Sequence, residues 1–485
     1  MTGRLLTALL LAPVVASCTP GPRYTPPMPT MPASWREMTP AVHASDPSDL
    51  EHWWTAFHDP LLDALVGRAV EANLDLKIAG ARVREARAVR GIAASAALPQ
   101  VGVHGTAART ERSDAVPPFN AFTAGDSPFG SRTQNIFEAG FDAGWELDVF
   151  GGVRSDVQAA VAQVQSAEEG RRDILVTLLA DVARSYAELR GTQQQLEILD
   201  ATVQSQQETR DLAKARFDAG LTTALDVERA EGLLETTQSR RPELARRANR
   251  ALYRLDVLIG QEPGTLASTL EHSRPLPQQP PVVPELLPSE LLSRRPDLRR
   301  AERDVAAEAA RLRVARSDLF PRFSIGGNFG RRSEDASDLG STGSQFWFLF
   351  GGVRLPILSG GRIRANIQAH DARLEQALRQ YEQAVLTAVE DVENALSAHT
   401  REEQRLGILR EAVAANRRAL DLATDRYTGG VENFLSVLDA QRAVYIAEDS
   451  LAESETTGMV SLIAIYKALG GGWTLNAQDG SGEPK

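Results

Sequence analysis

Apolar and polar residues alternate in some parts of this chain and recur every third or fourth position in others. The clearest alternation runs from Phe137 to Val149. Phe137, Ala139, Phe141, Ala143, Trp145, Leu147 and Val149 share one face, and Glu138, Gly140, Asp142, Gly144, Glu146 and Asp148 share the other. Period two is the pattern of a strand with one apolar and one polar face. Residues 101–108 predict a partner strand, with Val101, Val103, Gly105 and Ala107 opposed to Gly102, His104, Thr106 and Ala108. In a third segment Phe323, Ile325, Gly327 and Phe329 alternate with Arg322, Ser324, Gly326 and Asn328. A fourth, near Trp347 to Ile357, alternates less cleanly because Phe346, Phe348 and Phe350 interrupt it. Each segment is about ten residues, the length a tilted transmembrane strand needs. A soluble sandwich would show the same alternation with its polar face outward.

The helical pattern is far longer. No proline occurs from Val153 to Asp218, where Leu175, Leu178, Val182, Tyr186, Leu189, Leu196, Leu199 and Val203 keep three-four spacing. Arg362 to Thr428 is also proline-free, with Ile363, Ile367, Leu374, Leu378, Tyr381, Val385, Val392 and Leu396 similarly spaced. Such helices are roughly 100 Å long at 1.5 Å per residue, and the sustained spacing implies coiled-coil packing. Shorter helices are predicted over Asp75–Leu98, Thr222–Gly260, Asp297–Leu319 and Glu432–Gly470, each pair summing to about the length of one long helix. Pro242 should kink the second of them.

The chain is also written twice. Leu98-Pro99-Gln100-Val101 is echoed by Phe320-Pro321-Arg322-Phe323, and the stretch ending in Gly151-Gly152 by the one ending in Gly360-Gly361. Arg216-Phe217-Asp218-Ala219-Gly220 is echoed by Arg426-Tyr427-Thr428-Gly429-Gly430. The glycine pairs sit where strand periodicity gives way to helix periodicity, and glycine lets the backbone bend there. Ala219-Gly220 and Thr428-Gly429-Gly430 predict tight helix-to-helix turns. The first copy carries extra residues between Glu111 and Arg132, rich in Pro, Gly, Ser and Asn, which predict a long loop. The division that follows is 1–17, 18–50, a first repeat 51–270, a Pro-rich linker 271–288, a second repeat 289–475 and a polar tail 476–485.

Composition narrows the function. The formal net charge is −11 with no basic patch, which argues against a nucleic-acid partner. Arg4 followed by the apolar stretch Leu5 to Ala16 reads as a secretory signal peptide, residues 1–17, too short to span a bilayer. It ends in Val15-Ala16-Ser17-Cys18, and Cys18 is the only cysteine. This matches the bacterial lipobox pattern, which implies cleavage before Cys18 and covalent lipid on it. Thr19 in place of Asp sends such an anchor to the outer membrane by that family's rule. The Pro-rich stretch after it predicts an extended tether. No internal apolar run is long enough for a membrane-spanning helix, so any crossing must use strands. Four strands cannot close a barrel, and open edges are forbidden in lipid. Chains must therefore share one: two supply eight strands, three twelve, four sixteen. The seven histidines show no metal-ligand spacing, and no phosphate loop or nucleophile elbow is present. Neither an enzyme nor a cofactor or metal site is indicated.

Lipobox, paired repeats, two strands per repeat, long helices and glycine tips together resemble the TolC-like outer-membrane efflux family, in its lipoprotein branch serving resistance-nodulation-division pumps. The most specific motifs are Leu355-Pro356-Ile357 with Gly360-Gly361-Arg362, and Arg426-Tyr427-Thr428-Gly429-Gly430 running to Leu438-Asp439-Ala440-Gln441-Arg442. The resemblance implies a mostly α fold with an internal two-fold repeat. Three chains would share a 12-stranded transmembrane barrel, continued by an α-barrel of coiled-coil helices into the periplasm. It implies an outer-membrane exit duct for small molecules, not an enzyme, whose tips (Ala219, Gly220, Thr428, Gly429, Gly430) meet a periplasmic adaptor and an inner-membrane pump. It places a periplasmic gate at Tyr427, Leu435, Asp439 and Arg442. Asp439 and Arg442, three residues apart, can pair locally or across chains. The same duct serving a peptide or protein exporter, or a lipid-tethered coiled-coil scaffold, remains an alternative.

Overall fold

The computed structural model describes residues 24–37, 50–111, 113, 133–277 and 287–474. The signal peptide, Cys18, most of the 111–132 loop, part of the linker and the tail from Asn476 lie outside the described residues. Eight helices matter here: α1 (Pro60–Ala72), α2 (Leu74–Ser95), α3 (Gly152–Asp218), α4 (Ala224–Gln238), α5 (Arg241–Leu258), α6 (Pro296–Ser317), α7 (Arg362–Thr428) and α8 (Phe434–Ala468). The strands are β1 (Gln100–Glu111), β2 (Thr133–Leu147), β3 (Arg322–Ser333) and β4 (Gln345–Arg354). The repeat is evident in this order: α2-β1-β2-α3-α4-α5 is answered by α6-β3-β4-α7-α8.

Helices α3 and α7 are each 67 residues long. Nothing breaks them, since their interiors contain no proline. An asymmetry between the repeats lies at Pro242. It lacks the backbone N–H an interior helical residue must donate, so the chain breaks after Gln238 and restarts with Pro242 in the first turn of α5. The second repeat has no proline there, and α8 runs unbroken for 35 residues.

The chain divides into two compact units. One is built on Arg84–Gln165 and Arg303–Arg379, and contains the sheet. Its four strands are antiparallel in the order β1-β2-β3-β4. Register fixes the faces. Val101, Val103, Phe141, Trp145, Ile325, Phe329, Trp347, Leu349 and Val353 stand on one side and are all exposed. His104, Glu138, Asp142, Asn328 and Arg332 stand on the other. β4 is where alternation was poorest, and its register puts Phe346, Phe348 and Phe350 on the charged side, opposite Gly330, Asn328 and Gly326. At the opposed pair Gly140 and Gly330 the strands approach so closely that a Cβ on Gly330 would lie 2.7 Å from the Gly140 Cα. Trp145 donates its indole N–H to the Ala97 carbonyl at 3.0 Å, which ties β2 to the chain just before β1.

The other unit comprises Met28–Val83, Ser166–Glu302 and Gln380–Lys485. Its core gathers Trp53, Phe57, Leu62, Leu65, Leu179 and Tyr186, all essentially without solvent contact. Trp53 stacks on Tyr466 with ring centroids 5.0 Å apart. Asp59 caps α1 by accepting from the Leu61 and Leu62 N–H groups, and also accepts the Tyr186 hydroxyl at 2.7 Å. Arg190 is fully buried; it donates to Gln193 and to the His272 carbonyl and lies over the Tyr186 ring. The N-terminal stretch 24–37 has no regular structure, but it is not free. Trp35 is buried, and the N–H groups of Arg36 and Glu37 donate to the Glu393 carboxylate on α7.

Candidate functional site

Two helical hairpins, α3–α4 and α7–α8, end in matched turns. At the first, Leu221 N–H donates to the Arg216 carbonyl and Gly220 N–H to that of Phe217, both at 2.8 Å. At the second, Val431 N–H donates to Arg426 at 2.9 Å and Gly430 N–H to Tyr427 at 3.0 Å. This pair of hydrogen bonds satisfies carbonyls a helix end leaves unpaired, and it needs a left-handed residue next to last. Gly220 (φ 71°) and Gly430 (φ 76°) supply it without a Cβ penalty. Asn433 then caps α8 by accepting the Ser436 N–H. Ala219, Gly220, Thr428, Gly429 and Gly430 are all exposed on these turns.

Behind the turns the hairpins pack on each other. Ala213 and Ala230 of the first meet Tyr427, Phe434, Val437 and Leu438 of the second. The Tyr427 and Phe434 rings are 5.1 Å apart, and the Arg216 guanidinium lies 4.7 Å above the Tyr427 ring. Burial, the largest influence, pushes the Tyr427 phenol up from its ordinary range. Gln441, also buried, donates to Thr209 of α3 at 2.7 Å. Further along, Gln195 and Gln194 of α3 donate to Asp449 and Glu455 of α8, and Arg417 of α7 pairs with Glu448 of α8 at 2.6 Å.

The four residues assigned to a gate therefore divide. Tyr427 belongs to the core between the hairpins, at 6% exposure. Leu435, Asp439 and Arg442 are exposed on α8, and Ile446 continues their stripe. Among the described residues Asp439 and Arg442 make no ion pair, with each other or with any other side chain, so the local i,i+3 pair does not form. Arg216 and Gln441 were read from the sequence only as members of motifs, without a role, and Phe434 was not read at all. Arg216 carried a signal, as the first residue of the turn motif shared by both repeats.

At the strand-to-helix junctions Gly151 (φ 74°), Gly360 (φ 57°) and Gly361 (φ 83°) all take left-handed conformations, and Gly152 opens α3. The Asp148 carboxylate accepts from the Val153 and Arg154 N–H groups and pairs with the Arg154 side chain at 3.0 Å, which caps α3. The second copy has Ile357 at that position, 92% exposed. Among the described residues no helix is long and apolar enough to cross a membrane, and no group of His, Cys, Asp or Glu could hold a metal ion.

The family model for outer membrane efflux proteins matches residues 65–261 and 287–471, one stretch in each repeat. The chain belongs to the outer membrane efflux protein family. It is 33% identical to the pyoverdine export outer membrane protein OpmQ of Pseudomonas aeruginosa, over 92% of each chain. It is 31% identical to the outer membrane protein OprJ of the same organism, over 96% of each. Among solved structures, the outer-membrane channel OprN superposes with a TM-score of 0.86 at 34% identity, covering 94% of this chain and all of that one. The fold read from the sequence, long helices with four strands in a two-fold repeat, is the fold of these outer-membrane channels. The chain is an outer-membrane component of an efflux system. One exposed face of its sheet is apolar, as a lipid-facing barrel wall requires, and the other is charged, as a water-filled lumen requires.

Proposed function

We propose that three copies of this chain close one barrel of twelve strands and form a passive exit duct for small organic molecules. The observation that carries this is the sheet itself. Its edges β1 and β4 run antiparallel to each other, and neither has a partner within the described chain. In lipid such edges must be paired, and the edges of neighbouring copies can pair without any change of direction. OpmQ, named for pyoverdine export, supports a small organic cargo.

Lipid on Cys18 would hold the duct to the membrane, with residues 18–50 as tether. The exposed tips at Ala219, Gly220, Thr428, Gly429 and Gly430 would meet a periplasmic adaptor, which couples the duct to an inner-membrane pump. The exposed stripe of Leu435, Asp439 and Arg442 forms the periplasmic gate. Leu435 narrows the bore, and Asp439 and Arg442, without an ion-pair partner among the described residues, pair across the three copies. Tyr427 serves the gate from behind, by holding α8 on the first hairpin. Removing one partner of an interchain ion pair frees the helices to part. Asp439→Ala should therefore raise the basal conductance of the protein in a planar bilayer. Conductance equal to wild type would make Asp439 a surface charge and refute the gate.

A further inference from the structure

The channel-facing side of the sheet carries an aromatic strip beside its charges. Register sets three rungs across that face. Gln100, Gly144, Gly326 and Phe350 form one; Gly102, Asp142, Asn328 and Phe348 the next; His104, Gly140, Gly330 and Phe346 the third. Glycine therefore floors the middle of the face, with carboxylates along β2 and phenylalanines along β4. The Phe350 ring lies over Gly326, where any Cβ would collide with it. Phe348 and Phe350 stack at 5.6 Å and remain 59% and 45% exposed. Phe346 already holds a cation, with the Arg332 guanidinium 4.7 Å above its ring. Across the floor, His104 lies between Asp142, at 3.2 Å, and Glu138, at 3.1 Å; the Asp142 side chain is still 53% exposed.

We propose that this trough binds aromatic organic cations on their way out, an inference that rests on this face lining the channel. Phe348 and Phe350 offer ring faces, whose quadrupole attracts a cation and whose area takes an aromatic ring. Asp142, on the same rung as Phe348 with two strand spacings, about 10 Å, between their backbones, supplies the countercharge from a carboxylate that leans over Gly102. A molecule with a ring and an ammonium group can lie along that rung. An anion of the same shape would meet the carboxylate and the negative ring faces and be rejected.

The test uses the full-length protein in lipid nanodiscs and radiolabelled benzyltriethylammonium, with empty nanodiscs to subtract lipid partitioning. Binding should weaken by about tenfold in the double variant Phe348→Ala/Phe350→Ala. It should also fall in Asp142→Asn and persist in Phe348→Trp, which keeps a ring face. Benzenesulfonate should not compete. Equal binding by wild type and the double variant overturns the site. So does a double variant that falls apart as an oligomer while Asp142→Asn and Phe348→Trp both bind as wild type, because the rings then serve packing between copies. Thiol labelling separates this from the channel assignment. A water-soluble maleimide should modify Phe348→Cys and spare Trp347→Cys; the reverse result would overturn the face assignment itself.

Discussion

A methyl group on Gly140 should disrupt the sheet, while the same methyl four residues along, on Gly144, should not. Both glycines lie on β2, on the charged face of the sheet, opposite glycines of β3. A Cβ on Gly140 would lie 2.8 Å from the Phe329 carbonyl oxygen and 2.9 Å from the Gly330 Cα, whereas one on Gly144 meets nothing within 4 Å. Non-bonded carbons rest at about 3.5–4.0 Å, so at Gly140 the obstacle is backbone and the strands themselves must part. Overpacking of this kind costs about 1–3 kcal/mol, and the ladder bonds of that rung are strained in addition. Gly144→Ala removes only glycine's conformational entropy and should be neutral or stabilising by up to about 1 kcal/mol. Gly330→Ala should match Gly140→Ala, since its Cβ would meet the Ala139 carbonyl at 2.6 Å. The assay is the thermal midpoint of the purified oligomer, followed by its heat-dependent shift on gels. Equal losses at Gly140 and Gly144 would refute the register, and with it the assignment of every side chain to lipid or channel, because a one-residue slip exchanges the faces.

Two further outcomes follow from the helical unit and the anchor. Burial, together with the hydrogen bond donated to Asp59, pushes the Tyr186 phenol up to about 12. An unfolded tyrosine titrates near pH 10, so the native state keeps this proton longer. The stabilisation is full below about pH 10 and is lost as pH rises through about 12. The urea midpoint of wild type should therefore exceed that of Tyr186→Phe at neutral pH and converge on it across that window; a constant gap would contradict the assignment. Cys18→Ser should abolish incorporation of labelled palmitate while leaving the oligomer intact, and incorporation at wild-type level would remove the anchor from the account.

The parts of the fold governed by local chemistry were legible in the sequence. Helix α7 begins and ends where its glycines and periodicity placed it, at Arg362 and Thr428. Pro242 was read as a kink, and the helix is interrupted there at Ser239 and Arg240, both still right-handed, because the lost N–H coincides with a restart whose first turn tolerates proline. Helix α1 was not read, although Asp59-Pro60 is a start signal, because the segment before it has no strong periodicity. Other features depend on partners distant in sequence. The β4 phenylalanines interrupt an alternation that is apolar on both sides, and only pairing with β3 decides which side they take. Tyr427, Leu435, Asp439 and Arg442 share a short stretch of chain, but the first hairpin covers Tyr427 and leaves the other three open. Spacing within one helix cannot report what packs against it.

If the duct works as one part of a three-part efflux machine, its tips must meet a second protein. The most direct measurement is photo-crosslinking in living cells from the two tips, at Ala219 and Thr428, with the captured protein identified by mass spectrometry. A periplasmic adaptor should be captured at both positions. Capture of only cell-wall material or unrelated periplasmic proteins, from a correctly assembled oligomer, would contradict this reading and favour a structural or secretion role.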